Sequence, residues 1–150
     1  MNNAIQSLSD LFERDLDRLL QEVKAYKKEE NLWILEGEIA NTAGNLALHL
    51  CGNLRHFIGA MLGGSSYIRQ RDDEFGLKDV KRSELISQIK ETKKSVLDTL
   101  AELPEEKLDE IYPVNVFGKE MTILFFLIHL QSHLNYHLGQ LNYHRRLLDQ

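Results

Sequence analysis

The sequence of 150 residues has a single cysteine, no excess of positive charge and no long apolar run, and each shortage closes off a class of protein. With only Cys51, neither an internal disulfide nor a cysteine-based zinc site can form. The net charge of −5, with a pI near 5.7, argues against nucleic-acid binding, which needs a clustered basic face. No such cluster exists, because Lys24, Lys27 and Lys28, like Lys90, Lys93 and Lys94, alternate with glutamates. The most apolar stretch, Ile123 to Ile128, is far too short to cross a bilayer, and no N-terminal run resembles a signal peptide. A cytoplasmic location without membrane or nucleic-acid partners is therefore expected. Internal repeats and low-complexity segments are also absent.

Length and composition fit one domain over residues 1–150. A chain of this size buries about 68–70% of the surface its unfolded form exposes, enough for a real core. Apolar residues at 43% and charged residues at 27% are ordinary for a globular protein.

What the sequence does have is histidine, and in one place. Four of its six histidines fall between His129 and His144. At about 100° per residue, His129, His133 and His137 share an arc of roughly 80° on a helix, and Gln140 and His144 return to it. Leu130, Leu134, Leu138, Leu141 and Leu148 occupy the adjacent face. A stripe of imidazoles thus runs beside an apolar stripe, and two histidines at i, i+4 can turn ring nitrogens toward one ion.

Along the chain, residues 3–29 read as one amphipathic helix, with Ile5, Leu8, Leu11, Phe12, Leu16, Leu19, Leu20 and Val23 at helical spacing. Glu22 to Glu30 reads as its solvated end. Asn31 to Asn41 is expected to be a loop with a short extended piece, and Trp33 a core plug between helices. A second helix is expected from a cap at Asn41 or Thr42 to about Leu62, stopped by Gly63 and Gly64. On it Thr42, Asn45, His49, Asn53 and His56 lie within roughly 80° of one another, beside the apolar line Leu46, Leu50, Leu54, Phe57 and Met61. Cys51 points away from His49 and suits a small buried role.

Gly63 to Lys81 reads as a long unpatterned connection. Its cluster Arg69, Arg71, Asp72, Asp73 and Glu74 is expected to be a solvated crossover with local ion pairs, although loops this long are often functional. A third helix is expected from a cap at Ser83 to just before Pro104. Tyr112 to Gly118 alternates like a short extended piece. The fourth helix begins near Glu120 and carries the histidine stretch. Four long helices predict an all-α four-helix bundle.

Two further absences narrow the chemistry. No acidic residue lies between Glu120 and Asp149, so the inward glutamates of a di-iron carboxylate bundle are missing. Leu134 follows His133, so the His-Glu-x-x-His pattern of zinc proteases is missing too. The imidazole lines on the second and fourth helices each border a core stripe and can therefore meet. Three imidazoles with an open fourth position make a catalytic type of zinc site, and nickel or ferrous iron also accept nitrogen ligands. A polar seam or a dimer interface is the alternative use of the same residues.

His49-Leu-Cys-Gly-Asn-Leu-Arg-His56, taken with His133-Leu-Asn-Tyr-His137-Leu-Gly-Gln140, resembles the DinB/YfiT-like superfamily of metalloenzymes. Trp33, the Asn41-Thr42 start and the Arg71-Asp72-Asp73-Glu74-Phe75 loop resemble one uncharacterised branch of it. The resemblance spans nearly the whole chain. It implies a four-helix bundle with long crossover connections, often dimeric, and a divalent metal, commonly zinc or nickel. It also implies His49, His133 and His137 as the metal ligands. Characterised relatives include bacillithiol and mycothiol S-transferases and a mycothiol-dependent maleylpyruvate isomerase. The function expected is therefore metal-dependent transfer of a low-molecular-weight thiol, or hydrolysis, on a small-molecule substrate. Asn45, Asn53 and Gln140 are candidates for orienting the ligands, with helix–helix hydrogen bonding the other role open to Asn45 and Asn53. His56 and His129 are spare imidazoles for acid–base work. His144 is expected at the surface or an interface, and no dedicated carboxylate base is evident. The alternative function is a dimeric helical binding or stress-response module with a structural or vestigial metal.

Overall fold

Apolar residues at three- and four-residue spacing cannot be buried by a lone helix, and the chain resolves this by packing its long helices on one another. The structure, a computed structural model, describes residues 3–150. Helix α1 spans Asn3–Ala25 and buries Ile5, Leu8, Phe12, Leu16, Leu19 and Val23. It ends short of residue 29 because the Asp149 carboxylate accepts the backbone N–H groups of Lys27 at 2.6 Å and Lys28 at 3.2 Å. These amides are thereby diverted from the helical ladder, and the chain turns into a 3₁₀ segment, Glu29–Trp33, in place of an extended piece.

Helix α2 spans Ala43–Leu54 and is buried along its whole length. Thr42 caps it, accepting the Asn45 N–H at 3.0 Å. It continues through a π-helical turn, Arg55–Ala60, and stops at Gly63 and Gly64, the latter at φ +69°. Gly44 lets the Trp33 ring lie against α2, since a Cβ there would stand 2.6 Å from the indole. The half-buried Trp33 packs on the core in this way.

The connection from Gly63 to Lys81 is not wholly irregular: it contains the short helix α3, Arg71–Gly76. Helix α4, Arg82–Glu102, buries Leu85, Ile89, Val96 and Leu100. Its N-cap position is Lys81 and not Ser83, with no capping side-chain bond. Helix α5, Ile123–Leu148, is capped by Thr122, whose Oγ1 accepts the Phe125 N–H at 3.0 Å. The alternating stretch before it forms no strand. Its ends are instead closed by an isolated antiparallel bridge between Ile111 and Thr122.

Helices α1 and α2 each pack against both α4 and α5, and α3 lies on α2. This brings the imidazole-bearing faces of α2 and α5 together. Asp15 on α1, fully buried, is satisfied from α5 by the amides of Gln131 at 2.7 Å and Asn135 at 3.0 Å, which fixes α5 lengthwise on α1. Among the described residues all regular structure is helical, and no helix is long and apolar enough to cross a membrane.

Candidate metal centre

Histidine is polar, so a helix that buries one must give its ring nitrogens partners. On α2, His49 is only 7% exposed. Its Nδ1 lies 3.0 Å from Glu74 Oε1 and its Nε2 lies 3.2 Å from His133 Nε2 on α5. One turn further along α5, the His137 ring stands edge-on to both, with centroids 5.3 Å from His49 and 4.5 Å from His133. One nitrogen from each of the three lies within 4.8 Å of the others. The i, i+4 pair on one helix and the single residue on the facing helix thus converge on one point.

This donor set fits a divalent ion. With metal–nitrogen bonds of about 2.0–2.1 Å, two tetrahedral ligands stand about 3.3 Å apart. The Nε2 to Nε2 distance of 3.2 Å matches that spacing. His137 Nδ1 is held by Gln140 Oε1 at 2.7 Å, leaving Nε2 as its free donor. Burial, followed by the neighbouring imidazoles of His137, His49 and His129, pushes the His133 pKa down to about 3. Burial likewise lowers the pKa of His137, against the opposing Gln140 bond. Both rings are therefore neutral at physiological pH, the form a metal binds. No cysteine or carboxylate joins the three as a fourth ligand among the described residues. Cys51 is buried, and burial raises its pKa to about 11.

The other candidates divide. Gln140 touches a ring of the cluster. Asn45 does not: its Nδ2 donates to the backbone carbonyls of Glu74 at 3.0 Å and Leu77 at 2.8 Å, so it fastens α3 to α2. Asn53 is buried, with its Oδ1 unpartnered. His129 stands 6.2 Å from His133, ring to ring, between Phe117 and Phe126. His56 lies against Phe57. Burial lowers the pKa of both His56 and His129, in His56 with help from Arg69.

Two expectations are corrected. His144 is not at the surface. It is 4% exposed, with Nδ1 at 2.7 Å from the Tyr26 hydroxyl and Nε2 at 2.8 Å from the Ile34 carbonyl. Its register on α5 turns it toward the segment that follows α1, where a phenol and a carbonyl satisfy both nitrogens. Nor is the Arg69–Glu74 cluster simply a solvated crossover. The Glu74 carboxylate is buried, contacts His49 and receives a bidentate pair from Arg69 at 2.8 and 2.9 Å. Burial works to raise its pKa, but the bonds from His49 and Arg69 outweigh that and hold it below the ordinary carboxylate range. Phe75 beside it packs on the His49 ring at 4.8 Å. The missed signal was Gly52, a glycine in mid-helix one turn from His49. A Cβ there would overlap Glu74 Oε2.

Fold and site together define an all-helical protein with a cluster of three histidines able to hold a metal ion. The chain belongs to the DUF1572 family, described as proteins of unknown function, whose model matches residues 2–150. That family falls within the DinB/YfiT-like clan. A comparison with curated proteins gives no match.

Proposed function

We propose that His49, His133 and His137 bind one divalent metal ion, zinc or nickel before iron, and that the protein is a metal-dependent enzyme acting on a small molecule in the cytoplasm. The observation that carries this is the meeting of three imidazoles from two helices, with a 3.2 Å spacing between Nε2 atoms and no fourth protein ligand among the described residues. A bound metal supplies a Lewis acid that lowers the pKa of a water or a thiol in the open position. The chain's own groups do the rest. Glu74 and Gln140 hold the outer nitrogens of His49 and His137. Phe75 and Tyr136 set aromatic rings beside the same two histidines and give an apolar body somewhere to rest. His129, one turn before His133, is the imidazole placed to move a proton. Transfer of a low-molecular-weight thiol and hydrolysis both use this arrangement.

The same reading takes α1, α2, α4 and α5 as a four-helix bundle with long crossover connections. It also includes a homodimer. The supporting surface is the outer face of α5, where Phe125, Ile128, Tyr136, Tyr143 and Leu147 are all more than half exposed on a helix without formal charge until Arg145.

The test is elemental analysis of tag-free protein, with His49→Ala, His133→Ala and His137→Ala beside the parent. About one equivalent of metal in the parent, lost in each variant while helical content stays, supports the reading. A parent that takes up no zinc, nickel or iron refutes it. Unfolding on chelation would favour the structural-metal alternative, and an intact apo fold the enzyme.

A further inference from the structure

We propose that the Arg69–Glu74 pair, delivered by α3, is a positioning device that fixes the tautomer of His49, so that its Nε2 lone pair faces His133 and His137. The inference rests on the three-histidine reading, but its main claim concerns the imidazole and can be read without metal.

A carboxylate that receives both arms of a guanidinium is an acceptor at each oxygen. Arg69 donates from Nε to Oε2 at 2.8 Å and from Nη2 to Oε1 at 2.9 Å. Oε1 is also 3.0 Å from His49 Nδ1. The contact is attractive only if Nδ1 carries the proton, since the other tautomer sets a nitrogen lone pair against a carboxylate lone pair. With the proton on Nδ1, Nε2 is bare, and it is Nε2 that faces the cluster.

The rest of the chain is arranged to keep the carboxylate there. Gly52 clears room for it on α2, because a side chain at that position would collide with Glu74 Oε2. Asn45 anchors α3 through the carbonyls of Glu74 and Leu77, and its own Oδ1 takes the Thr42 hydroxyl and the Lys78 ammonium, each at 2.6 Å. The three histidines are not equivalent in this respect. His137 leans on the amide of an exposed glutamine, and His133 Nδ1 is buried without a partner. Only His49 is set by a buried charge, which makes it the fixed point of the site. Glu74 and Arg69 are positioning residues here, acting through His49.

The experiment records long-range ¹⁵N–¹H correlations of the imidazoles in metal-stripped protein at neutral pH, and zinc affinity by competition with a chromophoric chelator. The parent is expected to show His49 as the Nδ1–H tautomer. Glu74→Gln keeps the shape but removes the obligate acceptor. Gly52→Ala leaves all three side chains intact and displaces the carboxylate. Both are expected to move His49 toward the Nε2–H tautomer and weaken zinc by about 10- to 100-fold, with the His137 tautomer unchanged. Gln140→Ala should leave His49 as it was. A parent with its proton on Nε2, or an unchanged His49 tautomer in Glu74→Gln, overturns the proposal. If the tautomer moves as expected but the parent takes up no zinc, the positioning claim stands and the metal reading fails.

Discussion

Metal-stripped protein should lose stability between pH 7 and pH 5, and His133 sets the minimum loss. Its pKa in the folded state is about 3, lowered mainly by burial. In the unfolded chain it returns to about 6.5, so below that value the unfolded state binds a proton the folded state refuses. Protonation therefore favours unfolding, and stability falls as pH drops through 6.5. Integrated from pH 7 to pH 5, the loss from this one residue is about 2 kcal/mol, and any folded value below about 4 gives nearly the same figure. The lowered pKa values of His137, His129 and His56 act in the same direction. Glu74 does not contribute in this window. Its folded pKa is depressed, so its stabilisation is present above the unfolded carboxylate value and is lost only at lower pH. The assay is urea unfolding of the stripped protein at the two pH values, followed by circular dichroism. With a slope of about 2 kcal/mol per molar urea, the midpoint should fall by about 1 M. His133→Gln removes the group and should reduce that fall. An unchanged parent midpoint, or the same fall in His133→Gln, would refute the reasoning.

Other outcomes follow from single contacts. Tyr26→Phe deletes the hydroxyl that meets buried His144 Nδ1, and should cost about 1–3 kcal/mol in urea unfolding at neutral pH. Gly44→Ala sets a methyl group against the Trp33 ring and should cost about 1–3 kcal/mol, visible as a lower Tm with a shifted indole emission. Zinc at about 100 times its Kd should stabilise the parent by about 2.7 kcal/mol and leave His137→Ala unmoved, which a thermal melt with and without metal decides.

The parts of this fold that could be read from sequence are those where one helix face decides the outcome. The apolar lines of α1, α4 and α5 recur at helical spacing, and Ile5 to Val23, Leu85 to Leu100 and Phe126 to Leu141 go into the core on that spacing. The two imidazole lines were legible for the same reason, as polar residues sharing a face beside an apolar stripe. What could not be read depends on contacts distant in sequence. Among Asp72, Asp73 and Glu74, nothing local says which turns inward. The choice is made by the phase of a six-residue helix, and that phase is held by Asn45, far away on α2. The end of α1 is decided by Asp149 at the other end of the chain. His144 shares an arc with His137, yet the segment after α1 claims its ring. Gly44 and Gly52 did carry a signal, because glycine inside a helix weakens it and needs a reason. The reasons are an indole and a carboxylate pressed against α2.

Helix α2 carries buried polar residues for which the proposed metal site would account. Every residue from Ala43 to Leu54 is buried, and outside Gly44 and Gly52, where a side chain would collide with Trp33 and Glu74, an apolar residue is the usual occupant of such a position. Instead three of its positions are Asn45, His49 and Asn53, all polar and all turned to one side. Elsewhere the chain meets buried polar groups from several sides, as with Asp15, which is met by two amides and an arginine, and His144, bonded at both nitrogens; the buried Trp33 indole N–H is an exception. On α2 and the facing part of α5 it does not. His133 Nδ1 and Asn53 Oδ1 are buried without partners, and His49 and His133 point ring nitrogens at each other. Two facing imidazole nitrogens contribute at most one neutral hydrogen bond, a poor return for two desolvated rings. The same pair around a divalent cation becomes two coordinate bonds, and its spacing is already that of such a pair. Asn45 stands apart, since its hydrogen bonds fasten α3. On the proposed reading the facing pair His49 and His133 weakens the metal-free fold, and a cation between α2 and α5 would turn that cost into two coordinate bonds.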